Sequence, residues 1–297
     1  QFAALDAELH FGFRETGSLV ITFDDDLSVL QKILDNGRLN GCDDLEIIGR
    51  DRIFELEPNL DPDVRHALYC RGAGVCSPYE MAIALAENAI ANGAELLLNT
   101  ELLAIDRAGD CFELHVQTRR VIDECVEDKP VCAQDNTIRA RRVINATGID
   151  SARVSAMAGQ VYFQITPRSG EYLLLARGTG EVLNTVVFQQ PTKMGKGILV
   201  TSTYHGNLLL GPDAHDESGF ASTDTHLDRL KHIVHEARRT TDKFDLKQCI
   251  RSFTGMRAVS STGDFIIEET ATPGFINVAG IQSPGLTSSP AIAAMVR

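Results

Sequence analysis

Apolar positions along this chain keep two periods, one helical and one alternating, and the switches between them lay out the elements. Residues 78–92 carry Met81, Ile83, Ala84, Leu85 and Ala89 in one run that opens on Pro78 and closes on Asn92-Gly93, the clearest predicted helix. A second helix is expected to open at Asp24-Asp-Asp-Leu27, with acidic residues at its positive end, and to run to Asn40 before Gly41 ends it. Residues 51–57 predict a short helix stopped before Pro58, residues 224–241 a polar helix, and residues 1–10 an amphipathic helical pattern.

Strands are expected over residues 17–23, 45–48, 94–98, 102–106 and 111–118, the last with Phe112, Leu114 and Val116 on one face. The polar span 119–136 is long for a hairpin connection and is expected to be mobile, after which 138–145 returns to the core. Residues 172–176, 182–188, 197–203 and 207–210 predict an antiparallel sheet. A crossover unit first, a sheet in the middle and a return at the end make a discontinuous two-domain α+β arrangement. Its parts are 76–152 with 250–297, and 1–75 with 153–249.

Composition narrows the function classes. At 297 residues, with 43% hydrophobic and 23% charged residues, the chain is that of a folded globular protein. A formal charge of −13 argues against a nucleic-acid partner, which needs clustered lysine and arginine. Seven cysteines include no Cys-x-x-Cys pair and leave an odd number for disulfides, which fits a reducing cytoplasm. Cys125 and Cys132 have no histidine at ligand spacing, so no metal is expected. No apolar run is long enough to span a bilayer, and attachment to a membrane would be peripheral.

Two small-residue turns carry the candidate chemistry. Phe275-Ile-Asn-Val-Ala279 is an apolar strand, followed by Gly280 and Gly285 in a turn; Thr287, Ser288 or Ser289 is then expected to cap a helix through 291–296, with Pro290 at its first position. The N–H groups of such a helix start suit a phosphate, a carboxylate or an electron-rich ring oxygen. Arg142-Val-Ile-Asn-Ala-Thr-Gly-Ile-Asp-Ser151 is a second apolar strand ending in a small-residue turn. Together the two suggest one ligand.

This pair resembles the FAD-dependent oxidoreductases of the D-amino acid oxidase superfamily. The resemblance extends through Glu57-Pro-Asn-Leu60, Asn92-Gly-Ala-Glu95, Pro167-Arg-Ser-Gly-Glu-Tyr172, Lys196-Gly-Ile-Leu-Val-Thr201, His205-Gly-Asn-Leu-Leu-Leu-Gly-Pro212 and Phe253-Thr-Gly-Met-Arg257. It is strongest to the branch of anaerobic-type glycerol-3-phosphate dehydrogenases. The sister branch acting on L-2-hydroxyglutarate commonly carries a histidine where this chain has Leu199. The resemblance implies a flavin domain of α/β type and an antiparallel-sheet substrate domain. It places Leu102 by its main chain near the adenine, Thr147 and Gly148 at the nucleotide end of FAD, and Gly280, Ser283, Gly285, Leu286 and Thr287 at the pyrophosphate and flavin ring.

For the substrate, Arg257 matches the arginine of a Gly-x-Arg turn that commonly holds the anionic end above the flavin; its planar guanidinium suits a carboxylate or phosphate. Arg168 and Tyr172 lie at alternate positions of a predicted strand and can line the same pocket. Lys193 and Lys196 are read as solvated loop lysines, His205 as a hairpin-turn residue, and His226, His232 and His235 as solvent-facing. No catalytic base is identified. The implied reaction is oxidation of a small anionic alcohol, glycerol 3-phosphate to dihydroxyacetone phosphate, with electrons passed to an acceptor protein or quinone. L-2-hydroxyglutarate or an amino acid is the alternative substrate.

The family opens on a strand, a Gly-x-Gly-x-x-Gly turn and a helix that receives the FAD pyrophosphate. No Gly-x-Gly-x-x-Gly occurs here, so the comparison implies that roughly the first third of the flavin domain is absent from these residues. The expectation is then weak or no FAD binding by these residues alone, with an exposed strand edge and apolar surface that favour self-association. A catalytically silent interaction module is the competing reading.

Overall fold

The computed structural model describes residues 1–120, 132–191, 197–217 and 222–297. The first half runs α1 (Phe2–Leu9), β1 (Phe13–Glu15), β2 (Ser18–Thr22), α2 (Ser28–Leu39), β3 (Leu45–Gly49), α3 (Arg50–Leu56), β4 (His66–Cys70), β5 (Gly74–Cys76), α4 (Pro78–Ala91), β6 (Thr100–Ala108), β7 (Cys111–Arg120), β8 (Cys132–Ala140), β9 (Val143–Asn145) and α5 (Ser151–Met157). The second half runs β10 (Ile165–Leu175), β11 (Val186–Gln189), β12 (Leu199–Ser202), β13 (Leu208–Gly211), β14 (His215–Asp216), α6 (Leu227–Thr240), β15 (Cys249–Ser260), β16 (Ile266–Glu269), β17 (Phe275–Ala279) and α7 (Gly285–Val296). Two compact units result, residues 1–85 with 169–256 and residues 86–168 with 257–297. The boundaries read from the element order stand at 75, 152 and 249.

The first unit is built on one sheet in the order β14-β10-β13-β12-β11-β2-β4-β3, with β15 also paired to β10. Strands β10 to β13 pair antiparallel, and β11 then pairs parallel with β2. Both faces of β2 are covered because its residues alternate. Leu19 and Ile21 join Leu208, Leu210, and Ile233 and Ala237 of α6 in the main core, while Val20 packs with Leu30 and Leu34 of α2.

Glu57 lies at the end of α3, fully buried. Its carboxylate accepts the backbone N–H of Asn184 at 3.1 Å and that of Thr185. Asn184 Nδ2 donates back to Leu56 O at 2.8 Å, and Asn59 Nδ2 donates to Val182 O at 3.0 Å. Burial pushes the Glu57 carboxyl above its ordinary value, against the lowering effect of the N–H donors. The Glu57-Pro-Asn-Leu60 motif is thus a clamp between α3 and the chain entering β11.

The second unit holds two three-stranded sheets, β6-β7-β8 and β16-β17-β9. Phe112 of β7 and Phe275 of β17 meet with ring centroids 6.1 Å apart, and Ile105 and Val154 complete their core. Strand β9 pairs parallel with β17, and β16 pairs antiparallel on the other side.

Four expectations need correction. Residues 94–98 form no strand: a strand needs a ladder partner, no described strand pairs with them, and Leu96 to Leu98 stay exposed. Helix α2 opens at Ser28 rather than Asp24, because the Asp26 carboxylate turns back to accept Ser28 N–H at 2.9 Å and its hydroxyl at 3.0 Å. The 182–188 strand starts only at Val186, after a 3-10 turn over Thr179–Val182. The C-terminal helix starts at Gly285 and encloses Pro290, with no side-chain cap. Pro290 has no N–H for the Leu286 carbonyl, and the Ser289 hydroxyl donates to that carbonyl instead, at 2.9 Å. Of the polar span 119–136, residues 121–131 lie outside the described residues, as do Cys125, Lys193 and Lys196.

Candidate functional site

All eight cofactor-side residues expected from the sequence fall in the second unit. Parallel neighbours β9 and β17 end on the same side, β9 delivering Thr147 and Gly148 and β17 delivering Gly280. Clefts beyond the carboxyl ends of parallel strands are where nucleotides bind in α/β sheets. Gly148 has φ 61° and open space where a Cβ would stand, so its main chain is accessible. Gly280 has φ 65°, and a Cβ there would approach Ser260 Cβ to 2.7 Å and Asp264 O to 3.3 Å. Gly280→Ala is therefore expected to cost about 2 kcal/mol of stability in chemical denaturation, from left-handed backbone strain plus displacement of Ser260.

From Gly280 the chain passes Ser283 into α7, whose first turn contains Gly285, Leu286 and Thr287. Thr287 is inside the helix and not its cap. With no side-chain cap, the Gly285 N–H is taken by Gln282 O at 2.6 Å, and the N–H groups of Leu286 and Thr287 are left to be met by water or a ligand oxygen. Leu102 sits in β6 where the ladder to β7 slips between Leu102 and Ala104, and its side chain packs on the Phe112–Phe275 core. A slip frees main-chain groups at that point.

Sequence reasoning missed the polar network behind these turns. Asn145 and Asn277 are fully buried and face each other across β9 and β17. Asn145 Nδ2 donates to Asn277 Oδ1 at 2.8 Å and to Ser151 O at 2.8 Å. Asn277 Nδ2 donates to Ser155 Oγ at 3.1 Å and Tyr162 Oη at 2.8 Å. Burial, with Glu268 beside it, pushes the Tyr162 phenol above its ordinary value. The available signal was an asparagine in the same place near the end of each apolar strand.

The substrate-side residues divide. Arg168 and Arg257 belong to the second unit, on β10 and β15, each half-buried. Arg257 lies within a continuous strand and not in a turn, since β15 runs unbroken through Gly255. Tyr172 belongs to the first unit, where its ring stacks on Phe253 at 4.9 Å between centroids and 10° between planes. His205 stands in the turn before β13, with Nε2 3.1 Å from the Glu80 carboxylate. His226 Nδ1 is 2.8 Å from buried Glu171, whose carboxylate also accepts His226 N–H just before α6. Among the described residues no group of three or more metal-ligating side chains is placed to hold a metal, and no helix is long and apolar enough to cross a membrane.

Two adjacent parallel strands ending in glycine turns, one leading into an uncapped helix start, define a nucleotide-binding α/β unit of the flavoprotein class. The family model described as "FAD dependent oxidoreductase" (DAO) matches residues 1–297. The chain belongs to this family of FAD-dependent oxidoreductases. It is 38% identical over 297 residues to glycerol 3-phosphate dehydrogenase of Caloramator mitchellensis, covering 99% of this chain and 58% of that protein. It is 27% identical to glycerol 3-phosphate oxidase of Mycoplasma genitalium, covering 96% of this chain and 73% of that protein. Among solved structures, FAD-bound L-alpha-glycerophosphate oxidase from Mycoplasma pneumoniae superposes with a TM-score of 0.84 at 24% identity, over 96% of this chain and 73% of that one. The chain thus spans well under two thirds of the Caloramator protein's length.

The described residues fit part of FAD. Open backbone at Gly148 and the first turn of α7 suit phosphate oxygens and an electron-rich ring edge. A Gly-x-Gly-x-x-Gly start, which would take the pyrophosphate in this class, does not occur among these residues.

Proposed function

We propose that this chain carries the substrate-binding elements and part of the cofactor site of a flavoenzyme that oxidises glycerol 3-phosphate to dihydroxyacetone phosphate. The observation that carries the reading is the 38% identity, spread over the whole chain, to a glycerol 3-phosphate dehydrogenase. Relatives named L-2-hydroxyglutarate dehydrogenase match at 22–30%.

FAD, when bound, supplies the two-electron acceptor. Thr147, Gly148, Gly280, Ser283, Gly285, Leu286 and Thr287 would hold it, with Leu102 at the adenine end. Arg257 would pair with the substrate phosphate through two parallel N–H donors, and Arg168 would add positive charge. Tyr172, its ring fixed flat against Phe253, would present a hydroxyl on a side chain that has little freedom left to lose. Oxidation removes a hydride from C2 of the substrate and a proton from its hydroxyl. The electrons then pass to a protein or quinone acceptor.

Anaerobic addition of glycerol 3-phosphate to the flavin-loaded full-length protein tests this directly. Bleaching of the visible flavin bands is expected. Bleaching by L-2-hydroxyglutarate or an amino acid alone would replace the substrate, and a protein that takes up no flavin would favour the silent interaction module.

A further inference from the structure

We propose that Asn145 and Asn277 are positioning residues for the flavin nucleotide, forming an amide clamp that fixes the register of β9 on β17 and, through Thr147, the shape of the turn that meets the cofactor. The inference rests on the cofactor reading above.

Strand β9 is short, and its ladder with β17 is only Phe275↔Val143, Ile276↔Ile144 and Asn277↔Asn145. Ile144 is 55% exposed and Val143 half-buried, so apolar burial specifies this register weakly. The buried amides specify it strongly. Asn145 uses both Nδ2 donors, on Asn277 Oδ1 and Ser151 O, and its Oδ1 accepts the Thr147 hydroxyl at 2.7 Å. Asn277 uses both of its donors on Ser155 Oγ and Tyr162 Oη, and its Oδ1 is taken by Asn145. A slipped ladder would bury these groups unpaired, a large penalty for so short a strand.

The clamp sits where it controls both turns. Asn145 stands just before Thr147 and Gly148, and Asn277 just before Gly280. Thr147 turns its hydroxyl inward to Asn145, so the turn offers a cofactor its main chain at Gly148 and not the threonine side chain. Asp150 N–H closes the turn on Thr147 O at 3.2 Å.

Asn145→Ala would strip donors from both Ser151 O and Asn277 Oδ1 and risks unfolding the unit. The primary variant is therefore Thr147→Val, which keeps the shape and removes one hydrogen bond, with Thr147→Ser as the rescue. Two readouts are taken on the full-length protein: amide hydrogen exchange over residues 146–151 without cofactor, and the FAD dissociation constant from flavin fluorescence. In Thr147→Val, exchange at Asp150 and the FAD dissociation constant are each expected to rise about tenfold, the equivalent of one neutral hydrogen bond, and Thr147→Ser should restore both. Weaker FAD binding with unchanged exchange would overturn the clamp, because Thr147 would then touch the cofactor itself. Unchanged values in both readouts would overturn it as well. Faster exchange with unaltered FAD affinity would keep the clamp as a turn lock and remove the cofactor from this turn. If the wild-type protein takes up no FAD, the cofactor reading fails while exchange alone decides the lock.

Discussion

Arg257→Ala is expected to lower kcat/KM for glycerol 3-phosphate by about 10²–10³-fold, the scale of losing a charge-assisted, two-pronged contact to a phosphate. The position of the arginine supports a large effect. It is carried within β15 and not on a free turn, so the backbone from which its side chain extends is held in place by strand hydrogen bonding. Lysine keeps the charge but not the planar fork, so Arg257→Lys should recover only part of the loss. A rise in KM with kcat preserved would mean that the contact is equally strong in substrate and transition state, whereas a fall in kcat would mean that it tightens as the reaction proceeds. Wild-type kinetics in the alanine variant, with the flavin spectrum intact, would remove Arg257 from the substrate site.

The second large effect concerns stability. Glu57→Ala leaves the N–H groups of Asn184 and Thr185 buried without their acceptor. Unmade bonds of this kind cost about 1–3 kcal/mol each, so a loss of roughly 3 kcal/mol in urea denaturation is expected. Glu57→Gln keeps one acceptor oxygen and turns an NH2 toward the other donor, and should lose about half as much. The pH dependence separates wild type from Gln further. Because burial raises the folded-state pKa of Glu57 above its ordinary value of 4.5, the folded state binds that proton more tightly than the unfolded chain does. The contribution is fully present below the unfolded pKa and is lost as pH rises through the folded pKa. Wild type should therefore lose stability relative to Glu57→Gln as pH rises upward from about 4.5 across that window. Parallel pH profiles for the two proteins would show that the carboxyl does not titrate out of place.

The strands and turns of the candidate site were legible because their signals are local. Phe275–Ala279 is a short, largely apolar run followed by glycine, and Val-Ile-Asn-Ala-Thr-Gly is another ending in glycine, so each strand and the turn after it could be read from a few neighbouring residues. Helix α4 was legible for the same reason, with proline at its start and Asn92-Gly93 at its end. Residues 94–98 mark the limit: their short apolar run reads as a strand, but strand formation depends on a partner that no local pattern names. Pro290 marks another, since a local rule ends or starts a helix there, while the Ser289 hydroxyl takes over the carbonyl that proline leaves unmet.

By itself the sequence determined the α+β class and the two strand–turn elements, because hydrophobic period and glycine placement act over a few residues. Only the tertiary structure decided that β9 and β17 lie side by side in parallel, that Asn145 and Asn277 meet there, that Glu57 closes on Asn184 and Thr185, and that Tyr172 stacks on Phe253. Each of these joins residues far apart in the chain, and a buried amide, carboxylate or ring declares its partner only when packing has removed water from both.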